Sequence, residues 1–215
     1  GSPVTVADRE AEEAIRETIA RAYPEHGIIG EEHGSTNPQA ELTWVLDPID
    51  GTASFITGKP IFGTLISLYR RNVPLLGIID QPITGERWLG IAQNETTLNG
   101  RPVKSRTNVD LANAYLDATD PDMFSKYPEK IFWQLANAVG KIRWGSDCYA
   151  YAMLATGHVD LVCESGMKFY DFAALVPIIE GSGGTVTDWE GDALNINSNG
   201  TVLAAGSPEL HREAL

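Results

Sequence analysis

Asp47 and Asp50 follow the apolar run Trp44-Val45-Leu46 and bracket Pro48 and Ile49, with Gly51 and Thr52 immediately after them. Trp, Val and Leu favour strands, so both carboxylates fall where the chain leaves a sheet, the usual place for reactive groups on a layered α/β scaffold. Two more acidic groups stand at element ends: Glu31 and Glu32 after Gly30, and Asp171 in KFYDFAA. A single Asp before a helix is ordinarily a cap, and a surface Glu is ordinarily solvated. Three such clusters suit a hard divalent cation such as Mg²⁺, which takes oxygen ligands from separate elements and retains water. Pro48 stiffens the turn, the spacing of Asp47 and Asp50 can aim both at one ion, and the Ile49 carbonyl offers a further oxygen.

The next residues suit an anion. Gly51 permits close backbone approach, and Thr52-Ala53-Ser54-Phe55 can start a helix whose free N–H groups attract phosphate. This is no Walker loop, because six residues separate Gly51 from Gly58 and Pro60 replaces the required Ser or Thr. HExxH, GxSxG and CxxC are also missing from the sequence, and its four histidines are scattered.

Composition limits the partners. The 215 residues are 43% hydrophobic and 21% charged, which suits one compact domain or two closely joined halves. A net charge of −13 provides no basic stripe for a nucleic-acid polymer. It would also repel a small phosphate unless cations stood between them. No apolar run has the length of a membrane span, and the opening residues lack the regions of a signal peptide, so a cytoplasmic location is expected, or a plastid if the source is a plant. Cys148 and Cys163, fifteen apart, read as reduced, buried thiols.

The elements that must position these groups alternate along the chain. Asp8 is expected to N-cap a helix carrying Ala11, Ala14, Ile15, Ile19 and Ala22, which Pro24 ends. Strands are expected at 63–71 and 75–82, joined at Asn72, Val73 and Pro74, and at 86–92. Further on come a strand at 114–119, a helix at 129–139 and a strand at 141–144. Gly145-Ser146-Asp147 lead into a helix ending at Gly157, and a strand follows at 159–164. Asp171 is expected to begin a helix broken by Gly181-Ser182-Gly183-Gly184, with late strands in TVTDW and TVLAAG. The pattern predicts two stacked α/β halves, 1–110 and 111–215, forming one compact unit.

GEE, WVLDPIDGTASF and GSDCYAYAMLATGHVDLVCESGMKFYDFAAL together resemble the inositol monophosphatase family of Mg²⁺-dependent, lithium-sensitive phosphatases, from Pro3 to the C-terminus. GIIDQPITGERWLG, GSDCYAY and ESGMKFYDFAALVPIIEGSGGTVTDW resemble its histidinol-phosphate phosphatase branch. The resemblance implies an αβαβα sandwich, a homodimer, and two or three Mg²⁺ held by Glu31, Asp47, the Ile49 carbonyl, Asp50 and Asp171. Those ions would neutralise the phosphate, lower the pKa of an attacking water and stabilise the leaving alkoxide. Thr52, supported by Asp8, would orient that water, with Glu31 assisting. Backbone N–H groups of Gly51 and Thr52 would hold the phosphate, and Gly145, Ser146, Asp147 and Glu164 would face the organic part. Asp8 and Asp147 also fit as helix caps.

Carboxylates at Asp147 and Glu164 suit the amine and imidazole of histidinol, although a polyol would accept the same bonds. Lys168 reads as a solvated surface residue, and Cys148, Tyr149 and Tyr151 as core. The expected activity is hydrolysis of L-histidinol 1-phosphate, with inositol 1-phosphate or a 3′-phosphorylated nucleotide as alternatives. A non-catalytic binding subunit is a third reading, opposed by the intact acidic set and Thr52. The family's leading helical region would precede SPVTVAD, whereas this sequence opens at Gly1-Ser2.

Overall fold

The computed structural model describes residues 5–125 and 129–215, so the opening Gly1-Ser2 and Pro3 lie outside the described residues. Thr5, and not Asp8, caps the first helix, α1 (Val6–Ala22). Thr5 Oγ1 accepts from Ala7 N at 3.1 Å, while Asp8, in the first turn, accepts from Thr5 N at 2.8 Å through Oδ2. This capping box satisfies donors at the helix start and leaves Asp8 Oδ1 available elsewhere.

The first sheet is built from β1 (Gly27–Gly30), β2 (Gly34–Thr36), β3 (Leu42–Asp50), β4 (Gly63–Arg70), β5 (Val73–Gln81), β6 (Glu86–Ile91), β7 (Thr97–Leu98) and β8 (Arg101–Pro102). Their spatial order is β2-β1-β3-β4-β5-β6-β7-β8; β1 and β3 run parallel and the other neighbours antiparallel. The hairpin between β4 and β5 turns at Arg71 and Asn72, so Val73 and Pro74 belong to the strand, contrary to expectation. Proline is accommodated because the ladder slips between Leu68 and Tyr69, beside its pairing position. A short helix, α2 (Thr52–Ile56), follows β3.

The second sheet and its helices are β9 (Tyr115–Ala118), α3 (Glu129–Ala138), β10 (Lys141–Trp144), α4 (Asp147–Ala155), β11 (Leu161–Glu164), α5 (Phe169–Phe172), α6 (Leu175–Gly181), β12 (Thr185–Thr187), β13 (Val202–Ala205) and α7 (Pro208–Ala214). Strand order is β10-β9-β11-β13-β12, with mixed directions. Asp171 is the third residue of α5 and does not begin it, a correction of two positions.

Alternation along the strands explains the layers. Trp44, Leu46 and Ile66 turn toward Ile15 and Ile19 of α1, whereas Val45 and Tyr69 turn toward Phe169 and Ala173. Leu65, Ile79 and Trp88 pack with Tyr151, Leu154, Leu175 and Ile178, so α4, α5 and α6 lie between the sheets. Phe132, Leu135 and Leu210 cover the far face of the second sheet through Leu116, Leu161 and Leu203. The result is the expected αβαβα sandwich, with α1 outside one sheet and α3 and α7 outside the other. Both cysteines are free and buried. Among the described residues no helix is long and apolar enough to cross a membrane.

Candidate active site

Two residues three apart on a regular strand point to opposite faces. Asp47 pairs with Leu65 and Asp50 with Gly63, so three steps on β3 oppose two on β4. This bulge at Pro48-Ile49 turns Asp50 to the face that carries Asp47. Proline suits the bulge because it has no N–H to contribute to the ladder. Ile49 N donates to Asp47 Oδ1 at 3.1 Å, and Thr64 Oγ1 donates to the Pro48 carbonyl at 2.8 Å, fixing the kink.

On that inner face Asp171 of α5 joins them. One carboxylate oxygen from each of Asp47, Asp50 and Asp171 lies within 4.8 Å of the others. Glu31, the residue after β1, lines the same cavity of about 460 Å³ as Asp47, Asp50 and Asp171. Burial, then the neighbouring carboxylates, hold Asp47 and Asp50 well above the usual Asp range. Burial pushes Asp171 up to about 7 against the opposing Lys168 N–H, which donates to Asp171 at 2.6 Å. Burial and then Glu32 raise Glu31. Four crowded carboxylates with an all-oxygen donor set fit a hard divalent cation, which would relieve both the desolvation and the mutual repulsion.

Thr52 stands beside this cluster, its Oγ1 3.1 Å from the Ile49 carbonyl and 3.4 Å from Asp8 Oδ1. The sequence-expected pair of Thr52 and Asp8 is therefore brought together from α2 and α1. Gly51 has φ +82, and a Cβ there would lie 2.8 Å from Asp147 Cγ, so glycine is required twice over. Cys148 N donates to Asp50 Oδ2 at 2.7 Å, tying α4 to β3.

A second cavity, about 150 Å³, adjoins the first and shares Asp50, Asp147, Gly166 and Asp171 with it. Glu164 forms its buried acidic wall, accepting from Thr119 N at 3.2 Å, from Thr119 Oγ1 and from Tyr151 OH at 2.9 Å. Burial pushes Glu164 up to about 7 despite these donors. Asp147 does not cap its helix; Ser54 Oγ donates to its Oδ2 at 2.6 Å. Gly145 and Ser146 are not among the residues lining either cavity: Ser146 Oγ donates to Asp117 Oδ2 at 2.8 Å, and Gly145 N bonds the Ala118 carbonyl. Lys168 is exposed, as expected, yet sits at the rim of the larger cavity. Cys148 and Tyr151 are buried and line the smaller one, while Tyr149 is half-buried with its OH donating to Glu86.

Several participants were not singled out from sequence. Ser54 and Thr119 each hold a cavity carboxylate. Glu12, fully buried on α1, accepts from Glu32 N at 2.7 Å, His33 N at 3.2 Å and Arg16 Nε at 2.6 Å, bracing the turn that carries Glu31. A Glu on a helix one turn before an Arg reads as an ordinary surface pair, so the sequence carries no distinguishing signal.

The four carboxylates at the junction of β3 and α2, in an αβαβα sandwich, form a donor set suited to a hard divalent cation. The chain belongs to the inositol monophosphatase family, whose model matches residues 1–215, a family of Mg²⁺-dependent phosphatases. It is 50% identical to the chloroplastic bifunctional phosphatase IMPL2 of Arabidopsis thaliana over 100% of this chain, spanning 64% of that protein's length. It is 34% identical to the histidinol-phosphatase of Chlorobaculum parvum, over 94% of this chain and 79% of the relative. An inositol monophosphatase structure from Zymomonas mobilis superposes with a TM-score of 0.92 at 45% identity, covering 99% of this chain and 87% of that one.

Proposed function

We propose that the chain hydrolyses L-histidinol 1-phosphate to L-histidinol and inorganic phosphate. The observation that carries this reading is the acidic second chamber: beside the cluster of Asp47, Asp50 and Asp171 lies a pocket walled by Asp147 and Glu164. A phosphate end belongs at the first group once cations occupy it, and an ammonium or imidazolium end belongs at the second. The relationship to a protein named histidinol-phosphatase supports the same substrate.

Glu31, Asp47, the Ile49 carbonyl, Asp50 and Asp171 would hold Mg²⁺. Bound there, the cation supplies charge neutralisation, activation of water and stabilisation of the leaving oxygen. The chain's own residues do the rest. Thr52 Oγ1 donates toward the Ile49 carbonyl or Asp8, leaving a lone pair to accept a hydrogen bond that orients the attacking water. Asp8 is itself fixed by Thr5. Water oxygen bonds phosphorus as the ester P–O bond breaks; of the water's two protons, one stays on the inorganic phosphate and the other ends on the departing histidinol oxygen. Gly51 and Thr52 N–H groups would face the phosphate, while Asp147 and Glu164 hold the amine end. Gly145 and Ser146 keep the loop that carries Asp147 in place.

A second reading, inositol 1-phosphate hydrolysis, is favoured by the likeness to the Zymomonas mobilis inositol monophosphatase. Phosphate release from histidinol phosphate, inositol 1-phosphate and a 3′-phosphorylated nucleotide, with Mg²⁺ and with chelator, separates the two. Chelator-sensitive release with a higher kcat/KM on histidinol phosphate is expected. A higher value on inositol 1-phosphate would reverse the assignment. The reading also includes a homodimer, testable by light scattering, and residence in a plastid or the cytosol.

A further inference from the structure

Asp147 has a backbone that few non-glycine residues adopt, with φ +46 at the first position of α4. An Asp in that position is ordinarily drawn to the free N–H groups of its own helix. Here the side chain turns away and crosses to α2, where Ser54 Oγ donates to Oδ2 at 2.6 Å and the carboxylate lies over Gly51. Ser54 is buried, at 6% exposure, and its hydroxyl makes this one hydrogen bond as donor. Asp147 Oδ1 has no hydrogen-bond partner among the described residues, and Asp147 is shared by the walls of both cavities.

We propose that Ser54 is a specificity-determining positioning residue: its hydroxyl holds Asp147 across the junction of the two cavities, so that Oδ1 is presented to the cationic end of a phosphorylated amine. The inference rests on the proposed aminated substrate and adds the device that selects it. The neighbouring anchors make the arrangement rigid, since Ser146 is tied to Asp117 and Cys148 N to Asp50 on either side of Asp147. Without Ser54 the carboxylate is free to return to the α4 N–H groups, which compete for the same oxygens. A neutral polyol depends less on that charge.

The test is steady-state kinetics at saturating Mg²⁺ for wild type, Ser54→Ala, Asp147→Asn and the double variant, on histidinol phosphate and inositol 1-phosphate. Asn tolerates the left-handed backbone, so the Asp147 variant retains the turn. The inhibition constant of histidinol, which lacks phosphate, is measured alongside. Ser54→Ala is expected to raise KM for histidinol phosphate and the histidinol inhibition constant about tenfold. Its kcat, and its KM for inositol 1-phosphate, stay within about twofold, and the substitution adds nothing in the Asp147→Asn background. Equal KM increases on both substrates, a fall in kcat alone, or a further loss in the double variant would overturn the Ser54 assignment. Wild type inactive on histidinol phosphate would instead remove the substrate reading, a failure visible before any variant is compared.

Discussion

Asp47 and Asp50 share one face of the sheet because β3 bulges between them, pairing Asp47 with Leu65 and Asp50 with Gly63. That relationship turns a spacing that would separate two carboxylates on a regular strand into one that gathers them with Asp171.

Asp50→Asn should therefore fold and lose turnover by at least about 100-fold, since a ligand contributes no less than its supporting partners. Removing one of the crowded charges should also raise the melting temperature of the metal-free protein. Mg²⁺ should raise the wild-type melting temperature more than that of the variant. Near-normal turnover with Mg²⁺ would sink the ligand assignment.

Glu12 braces the turn after Glu31 through Glu32 N and His33 N while paired with Arg16. Glu12→Ala should cost about 3 kcal/mol in unfolding free energy, because it breaks a buried pair. The Mg²⁺ concentration for half-maximal activity should rise about 10–100-fold, with substrate KM at saturating Mg²⁺ little changed. Denaturant melts and Mg²⁺ titrations read the two effects separately. A loss of stability without a change in Mg²⁺ dependence would make Glu12 purely structural.

Much of this site was legible from residue types, and the remainder was not for physical reasons. Glu31, Asp47, Asp50 and Asp171 declare themselves because carboxylates at several element ends have few inexpensive explanations. The bulge is hidden, since register belongs to the partner strand as much as to β3. Asp8 was expected to be the cap because it precedes the helical periodicity, whereas the capping hydroxyl is on Thr5. The short strands β2, β7 and β8, of three, two and two residues, fall below any periodic signal. Ser54 and Thr119 acquire meaning through partners 93 and 45 residues away, which no local pattern encodes.

Gly51→Ala meets two obstacles, a φ of +82 and the Asp147 carboxyl 2.8 Å from the new Cβ. The left-handed backbone alone should cost about 1–2 kcal/mol. Displacement of Asp147 should raise KM for an aminated substrate in addition. A variant with wild-type stability and KM would contradict the close approach.

Glu164 makes a signed pH prediction. Burial raises its native value to about 7 from an ordinary 4.5, so between those pH values the folded state binds more protons than the unfolded one. Its contribution to stability therefore falls as pH rises through that window and levels off above it. Glu164→Gln removes the titration, so the melting temperature of the variant minus that of wild type, without Mg²⁺, should become more positive between pH 5 and pH 8. A constant difference would place the Glu164 carboxyl in an ordinary environment.

The most direct measurement is Mg²⁺-dependent phosphate release by the wild-type protein from histidinol phosphate, set beside inositol 1-phosphate under the same conditions. The two-chamber site predicts release that chelator abolishes and Mg²⁺ restores, with the higher kcat/KM on the aminated phosphate. Undiminished release in chelator would contradict the role given to the carboxylate cluster, and equal or greater efficiency on inositol 1-phosphate would contradict the one given to Asp147 and Glu164.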